Sequence, residues 1–372
     1  MINTSNLQVS TMHIQLKDLP ERQNVTLDEL NDREVRLLIP VIMLISVVIV
    51  VGTLGNALVL YINIVVIKLK SSIHRYFITF LAFVDITFCT ISCSLFILDL
   101  SHPYTFTNTM ACKRLRAFAS INVLSSVMTI FVIAVDRYRR ICRPHGNQFS
   151  LRSMKHMFGI ILFLSCIFSV PIFIIHGKNT VQTTNANITG TSCSTDEMYK
   201  DSLLAKGYMS FFGAVFIILA VLMSVLYLLV WRQIWKYTEP IKASAFQDTT
   251  EHRTEHTTSE VTLGATDPGK YLNNGNKDKM STDRAKVIRV SKILFVVTAI
   301  FVLSFAPYFF MQLLKYFHKK VIANLDTTST VFYHLFRKSY SINFMVNPFI
   351  YGVMDTTFRM ECKKLVLKRC PF

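Results

Sequence analysis

An uncharged stretch of 31 residues, 37–67, is the feature that most limits what this chain can fold into. A helix needs about 20 mostly apolar residues to cross the hydrocarbon of a bilayer, whereas a helix in a soluble core carries polar residues on its outer face. The stretch is too long for the core of a signal peptide, and no Ala-x-Ala cleavage site precedes it. We therefore interpret it as a membrane span.

Six further apolar stretches follow, each close to the length of a membrane span. They are residues 76–98, 117–135, 157–175, 208–231, 293–314 and roughly 330–354. Charged residues make up 17% of the chain, against about 25% in an ordinary soluble domain. The sequence predicts an all-α membrane protein: a seven-transmembrane-helix bundle over residues 37–354, after an N-terminal segment 1–36 and before a tail 355–372.

The distribution of Lys and Arg predicts the orientation of the bundle. The segments on the side of the N-terminus hold 15 of the 40 Lys and Arg, and the opposite side holds 25. Because basic residues accumulate on the cytoplasmic side, the N-terminus is expected outside the cell, at the plasma membrane. Anionic lipid and a cytosolic protein partner account for the net charge of +17, so no nucleic acid is implied.

Glycosylation sequons and cysteines agree with this orientation. Asn3, Asn24 and Asn187 each begin an Asn-x-Ser/Thr sequence, and all three fall on the predicted outer side. Of the eight cysteines, only Cys112 and Cys193 face that oxidising side, so they are the candidate disulfide. The alternative is two free thiols.

Two cytoplasmic segments differ from the spans in composition. Residues 236–286 combine low hydrophobicity with turn dipeptides, which predicts a disordered third inner loop whose Thr and Ser could accept phosphates or simply form a solvated linker. In the tail, apolar residues recur at helical spacing opposite basic ones, which predicts a short amphipathic eighth helix on the inner membrane surface. Cys362 and Cys370 there are either palmitoylated or unmodified.

Asp85 lies in the middle of the second apolar stretch, where a carboxylate is costly and marks function by default. Carboxylate, hydroxyl and amide oxygens together suit a small hard cation, and neighbouring Ser and Asn side chains alone could also satisfy the group. The polar candidates in other spans are Asn56, Ser126, Asn343 and Asn347. Pro307 and Pro348 interrupt spans six and seven and allow each helix to bend.

Seven short motifs occur in one order along the chain, one in each expected segment. They are Gly55-Asn56, the Leu-Ala-x-x-Asp ending at Asp85, Cys112, Asp136-Arg137-Tyr138, Cys193, Phe301 with Ser304-Phe305-Ala306-Pro307, and Asn347-Pro348-Phe349-Ile350-Tyr351. The set resembles the rhodopsin-like G-protein-coupled receptors, among which the neuropeptide-receptor type is the one expected. Any one of these motifs alone would be a weak signal.

The resemblance implies roles for particular residues. Arg137 would pair with Asp136 at rest and meet a heterotrimeric G protein on activation, with Tyr138 beside them. Tyr227 and Tyr351 would hold the open state, while Phe301 and Phe305, before Pro307, would transmit ligand binding. An allosteric sodium ion would bind Asp85, Ser126, Asn343 and Asn347, and no other cofactor is expected. Receptor kinase and arrestin are further expected partners, with membrane lipid.

The chain departs from the family pattern at four places. Span four contains no Trp, and the first outer loop lacks its usual Trp. Leu219 stands where a proline is common in span five, and Phe305 replaces the usual Trp before Pro307. These departures concern the relay between ligand and G protein rather than the fold.

Three positions restrict the extracellular ligand. Ala119 stands where amine receptors carry an Asp, and Ser341 stands where opsins carry their retinal-binding Lys, so neither a monoamine nor attached retinal is expected. Arg337 could receive an acidic group of the ligand, or it could pair with Asp99 or extend toward lipid headgroups. A peptide is the favoured ligand, because a long polar outer loop, residues 177–206, is anchored at Cys193; a lipid or small acid is the alternative.

Other classes of membrane protein fit the sequence less well. A transporter usually shows internal repeats with paired broken helices, and a channel or transporter often shows several intramembrane acids. This chain has no recognisable repeat and one acid at mid-membrane. The ten His residues show no metal-ligand spacing, and no glycine-rich phosphate loop is present, so an enzyme is not expected.

Overall fold

The computed structural model describes residues 25–68, 73–185, 187–200, 202–254, 268–318, 321–322 and 325–369, without the side chains of 237–254, 268–286, 316, 366, 368 and 369. Most of these residues are helical. The elements used below are α1 (Leu27–Val66), α2 (Ile73–Ser101), α3 (Thr109–Cys142), α4 (Leu151–Ile175), β1 (His176–Gln182), β2 (Thr189–Thr195), α5 (Leu203–Thr254), α6 (Pro268–Phe317), α7 (Thr327–Lys338), α8 (Asn343–Met354) and α9 (Thr356–Arg369).

The helices α1 to α6 are each long and apolar enough to cross a membrane, by length and composition. The seventh predicted span consists of α7, a 3-10 turn at Ser339–Ile342, and α8. The helices extend beyond the apolar stretches because hydropathy marks only the residues within the hydrocarbon. Thus α1 begins at Leu27 rather than after residue 36, with Thr26 accepting the Glu29 N–H (3.3 Å) as its N-cap.

The third inner loop differs from its expected disorder at both ends. Helix α5 continues to Thr254 and α6 begins at Pro268, while residues 255–267 lie outside the described part of the chain. Low hydrophobicity excludes a buried core, but it does not end a helix. Adding residues to an existing helix avoids the cost of a new nucleus, so the backbone of a span can continue past the hydrocarbon.

Large apolar side chains cover the outside of the bundle. Leu54, Phe163 and Leu303 are 66%, 66% and 70% exposed. A soluble monomer rarely exposes contiguous apolar surface on this scale, so these faces are suited to lipid.

The interior contains two main hydrophobic clusters, one above the other. The outer cluster joins α1, α2, α3 and α8 around Phe88, Phe96 and Phe344. The inner cluster joins α5, α6 and α8 around Tyr227, Phe301 and Tyr351, which become buried together although they are far apart in sequence. The predicted site residues therefore lie on the inward faces of several helices.

The outer loop between α4 and α5 forms an antiparallel hairpin, in which β1 pairs with β2 from His176↔Thr195 to Gln182↔Thr189. The first outer loop contacts β2, with the Thr191 N–H donating to the Tyr104 carbonyl (2.7 Å). A Cβ on Gly190 would lie 2.7 Å from the same carbonyl oxygen, so this close approach requires glycine. Burial raises the pKa of Tyr104 to about 12, and its hydroxyl donates to Glu34 Oε2 (3.4 Å).

Helix α9 follows α8 after a single residue, Asp355. The Asp355 carboxylate caps it by accepting the Thr357 and Phe358 N–H groups (3.0 and 3.1 Å). Phe358 is buried against the inner cluster, and Cys362 packs beside it, half-buried. Lys363 and Lys364 are exposed on the opposite face.

Candidate functional site

The inner end of α3 carries a buried group of charges. Asp136 is completely buried and forms an ion pair with Arg137, which is 3% exposed. Arg140, one helical turn later, donates from Nε to both Asp136 oxygens at 3.0 Å. One carboxylate therefore faces two guanidinium groups. Because a buried ion pair is costly to break on one side only, changes at Asp136 would strongly affect the position of Arg137.

Two predicted tyrosines lie in the same half of the bundle. The Tyr227 hydroxyl of α5 donates to the Leu294 carbonyl of α6 (3.1 Å), and Thr298 donates to the Tyr227 oxygen (3.1 Å). The Tyr351 hydroxyl is buried and has no hydrogen-bond partner among the described residues. Tyr227 thus ties α5 to α6, whereas Tyr351 keeps a free polar group directed into the interior.

The polar residues of the spans meet around Asp85. The Asn347 side chain donates to Asp85 Oδ2 (2.7 Å), which joins α8 to α2. Asn56 donates to the carbonyl oxygens of Gly52 (2.9 Å) and Phe344 (2.8 Å), which joins α1 to the start of α8. Spans that are distant in sequence are therefore connected at mid-membrane through amide side chains.

Several oxygens in this polar group lack partners. Asp85 Oδ1, Ser126 Oγ and Asn343 Oδ1 are all buried and make no hydrogen bond with a described residue. Buried polar atoms usually have a protein, water or ion partner. A carboxylate, a hydroxyl and an amide oxygen form a donor set of the kind that small hard cations prefer, so the residues present fit a sodium ion.

An aromatic chain runs along α6 on both sides of Pro307. Phe301 and Phe305 have ring centroids 4.5 Å apart, and Phe216 of α5 stacks on Phe305 at 5.4 Å. Phe305 also contacts Tyr340, in the 3-10 turn of span seven, at 5.5 Å. The phenylalanine that replaces the family's usual Trp is therefore fully packed between three helices.

At the outer ends of the spans, Asp99 pairs with Arg116 rather than with Arg337. Arg116 NH2 lies 3.0 Å from Asp99 Oδ2 and 2.7 Å from the Cys193 carbonyl oxygen, to which it donates. The predicted Asp99–Arg337 alternative is therefore wrong, because α3 brings its own guanidinium between α2 and the hairpin. The Cys112–Cys193 disulfide is present beside this contact, which excludes two free thiols.

The remaining candidate ligand residues lie at different depths. Ala119 is buried in the outer cluster. Arg337 is half-buried, with its guanidinium 5.4 Å from the Tyr333 ring centroid. Its neighbour Lys338 is only 8% exposed, and its ammonium lies 3.7 Å from the ring centroid of Phe96 in α2. The more buried of the two cations is thus the one that sequence reasoning did not select.

The predicted modification sites are only partly visible. Asn187 is exposed at the turn of the hairpin, where a glycan has room. Asn3, Asn24 and Cys370 lie outside the described residues. The Cys362 thiol packs against the bundle and is half-buried, and burial raises its pKa.

Three further residues join the site although sequence reasoning did not choose them. The contact of Arg140 with Asp136 could have been predicted, because Arg140 stands four positions after Asp136 on the same helix face. The sequence contains no specific signal for Arg116 or Lys338, because the rotation of the helix decides which of several neighbouring cations points inward.

Comparison with known proteins agrees with this arrangement. The family model described as 7 transmembrane receptor (rhodopsin family) matches residues 55–351. The tachykinin-like peptides receptor 86C of Drosophila melanogaster is 22% identical over 86% of this chain, and the neuropeptide S receptor of Mus musculus is 25% identical over 68%. The chain spans 57% and 60% of the length of these two relatives.

A third receptor and one solved structure are also similar to this chain. The allatostatin-A receptor of Bombyx mori is 25% identical over 87% of this chain and 77% of its own length. The crystal structure of squid rhodopsin matches with a TM-score of 0.65 at 22% identity, covering 95% of this chain and 90% of that one. The family match covers most of the seven-span bundle, including the Asp136–Arg137 pair and the polar group at Asp85. The chain belongs to the rhodopsin family of seven-transmembrane receptors, which are not enzymes.

Proposed function

We propose that this chain is a plasma-membrane receptor that binds an extracellular peptide and activates a heterotrimeric G protein. The observation that carries the proposal is the buried Asp136–Arg137 pair at the inner end of α3, in a chain of the rhodopsin family. A ligand acts by binding one conformer better than the other, so breaking this pair would be the step that the ligand favours. A lipid or small acid is the alternative ligand.

The proposed orientation places the N-terminus and the hairpin outside the cell. It is supported by the excess of Lys and Arg on the opposite side and by the exposed Asn187. In this orientation the disulfide and the Arg116–Asp99 pair face the extracellular ligand, and Arg137 faces the cytosol. Receptor kinase, arrestin and membrane lipid are proposed as further partners on the inner side, with palmitoylation at Cys362 and Cys370.

A peptide ligand is supported by the relatives and by the outer surface. The relatives are named as receptors of tachykinin-like peptides, neuropeptide S and allatostatin-A. In this chain the hairpin presents backbone and polar side chains, and the disulfide holds it at the outer end of α3. An extended peptide can bind such a surface with backbone hydrogen bonds.

Nucleotide exchange on a purified heterotrimeric G protein tests the proposal. The receptor, reconstituted in nanodiscs, is expected to accelerate exchange with at least one member of a neuropeptide library. The Arg137→Ala variant is expected to lose that response while still binding the same peptide, because the buried guanidinium is the proposed contact with the G protein. Ion flux without nucleotide exchange would instead favour a channel or transporter and contradict the proposal.

We further propose that Asp85, Ser126, Asn343 and Asn347 bind a sodium ion that stabilises the resting conformer. The unpartnered oxygens of the first three residues support it. Sodium chloride is expected to raise the unfolding temperature of the purified receptor above its value in choline chloride of equal ionic strength. At a sodium concentration of ten times Kd, the stabilisation is about 1.4 kcal/mol.

The Asp85→Asn variant is the matched control, because it keeps the shape of the side chain and removes its charge. It is expected to unfold at the same temperature in both salts. Equal unfolding temperatures of the unsubstituted receptor in sodium and choline would contradict the sodium site.

A further inference from the structure

We propose that Lys338 is the anchor for a carboxylate of the extracellular ligand. The inference rests on the proposed function, a receptor activated by an extracellular peptide, and it names the chemical group that the peptide must carry. The anchor lies nine positions before Asn347, roughly 14 Å outward of the polar group at mid-membrane. It is therefore at the depth of a ligand that enters between the outer ends of the spans.

Lys338 is a buried residue that forms no ion pair with any residue in the described part of the chain. The residue is 8% exposed, and among the residues that the structure describes its ammonium has neither a carboxylate nor a hydrogen-bond acceptor. Its ammonium lies 3.7 Å from the centroid of the Phe96 ring. A cation–π contact offsets only part of the cost of removing an ammonium from water, so the site favours an incoming negative charge.

The nearest candidate counter-ion is already engaged. Asp99, at the outer end of α2, forms its ion pair with Arg116, which also holds the Cys193 carbonyl. Asp99 Oδ2 lies 3.0 Å from Arg116, so Lys338 would have to share this carboxylate with Arg116. A carboxylate brought by a ligand would therefore give Lys338 an ion-pair partner that no described residue gives it.

The backbone around Lys338 is fixed by two serine side chains. Ser341 Oγ donates to the Lys338 carbonyl (2.7 Å), and Ser339 Oγ donates to the Ser304 carbonyl of α6 (2.7 Å). Both contacts hold the 3-10 turn that follows α7. Because the turn fixes the direction of the preceding residue, the lysine stem points toward α2 and the interior rather than toward lipid headgroups.

The anchor is connected to the packing around Pro307 through aromatic rings. The Phe96 ring lies beside the Lys338 ammonium, and its centroid is 6.4 Å from that of Tyr340. The Tyr340 and Phe305 ring centroids are 5.5 Å apart. A carboxylate that draws the ammonium away from Phe96 would free this ring and alter the Phe96–Tyr340–Phe305 packing. Binding at the anchor would therefore reach α6 through Phe305, one of the two residues expected to transmit ligand binding.

The geometry favours Lys338 over its neighbour as the anchor. Arg337 is half-buried and stacks on Tyr333, so part of its guanidinium remains in contact with solvent or headgroups. A carboxylate gains most from the cation that is least hydrated, because the interaction is stronger away from water. In a peptide, the C-terminal carboxylate or an Asp or Glu side chain supplies this group.

Substitution of Lys338 by methionine, with Arg337→Gln as the matched control, tests the anchor in the full-length receptor in nanodiscs. The probes are short peptides with a free C-terminal carboxylate, the same peptides as C-terminal amides, and the small acids benzoate and decanoate. Two quantities are measured: the unfolding temperature with and without probe, and nucleotide exchange on the G protein.

We expect Lys338→Met to raise the unfolding temperature of the ligand-free receptor, since it replaces a buried unpaired charge with an apolar chain of similar length. A lysine with a merely structural role would give the opposite sign. The same variant is expected to lose the stabilisation by carboxylate probes and to weaken peptide potency by at least about 30-fold. Arg337→Gln is expected to retain both responses.

The outcomes separate this anchor from the proposed function. Peptides that activate the receptor equally as acids and amides, with potency unchanged in Lys338→Met, would overturn the anchor and leave the peptide receptor intact. Small acids that stabilise the receptor only when Lys338 is present, with no active peptide, would support the anchor and remove the peptide ligand. If no carboxylate probe stabilises the unsubstituted receptor more than Lys338→Met, the anchor is wrong.

Discussion

The Asp136→Asn variant is expected to accelerate nucleotide exchange on the G protein without any ligand. Asparagine keeps the shape of Asp136 and removes the charge that holds Arg137 and Arg140. Arg137 is 3% exposed, so without its counter-ion it remains as an uncompensated buried cation. Losing one partner of a buried pair costs about 3–5 kcal/mol, and movement of Arg137 toward the cytosol relieves that cost. The resting conformer is therefore destabilised relative to the active one.

The increase in ligand-free exchange depends on how much of this cost is present in the resting conformer and absent from the active one. A difference of about 1–3 kcal/mol raises the ratio of active to resting receptor roughly 5- to 150-fold. The measurement is ligand-free exchange by purified receptor in nanodiscs, normalised to the amount of folded protein. Exchange at the unsubstituted rate, with folding retained, would contradict a resting role for the ion pair.

Arg140→Gln is the matched control for this experiment. It removes the guanidinium that donates to both Asp136 oxygens, and it leaves the Asp136–Arg137 pair in place. We expect a much smaller rise in ligand-free exchange than with Asp136→Asn. A rise of equal size would mean that Arg140, rather than Arg137, maintains the resting conformer.

The sequence was sufficient for the number and order of the spans, because hydropathy alone marks the residues within the hydrocarbon. It was not sufficient for their ends. Helix α1 begins at Leu27 among charged residues, and α5 continues to Thr254 through polar sequence, because a helix can extend beyond the bilayer without burying anything. The hairpin at His176–Gln182 and Thr189–Thr195 was also not predicted. Its strands contain too few apolar residues to show the alternation of apolar and polar residues that is typical of a strand.

Some polar contacts could likewise be predicted from the sequence, and others could not. Asp85 and Asn347 could be placed together from their depth and resemblance, and their side chains do meet. The partner of Asp99 could not be chosen, because Arg116 and Arg337 lie at similar depth and only helix rotation separates them. Adjacent residues point about 100° apart on a helix of 3.6 residues per turn, so sequence alone left open whether Arg337 or Lys338 faces the interior.

Removal of the Cys112–Cys193 disulfide is expected to have the largest effect on stability. The bond closes a loop between positions 81 residues apart, which includes α4 and the hairpin. Loop-closure entropy for such a separation amounts to about 4–5 kcal/mol. The Cys112→Ser, Cys193→Ser double variant should therefore unfold at a clearly lower temperature. Cys166→Ala, which removes an exposed thiol on the outside of the bundle, should leave the unfolding temperature unchanged.

The disulfide is also expected to be needed for ligand binding, for a reason distinct from stability. Arg116 donates to the Cys193 carbonyl and pairs with the Asp99 carboxylate. The disulfide holds Cys193, and thereby Arg116, in the position from which Arg116 keeps Asp99 away from Lys338. Without the bond, the hairpin is expected to move and the Arg116 contact to be lost, which would free Asp99 to neutralise the buried ammonium. The double variant is expected to lose carboxylate binding even at temperatures where it remains folded. Asp99→Asn in the double variant should restore part of that binding; failure to restore any would show that Asp99 does not compete with the ligand for Lys338.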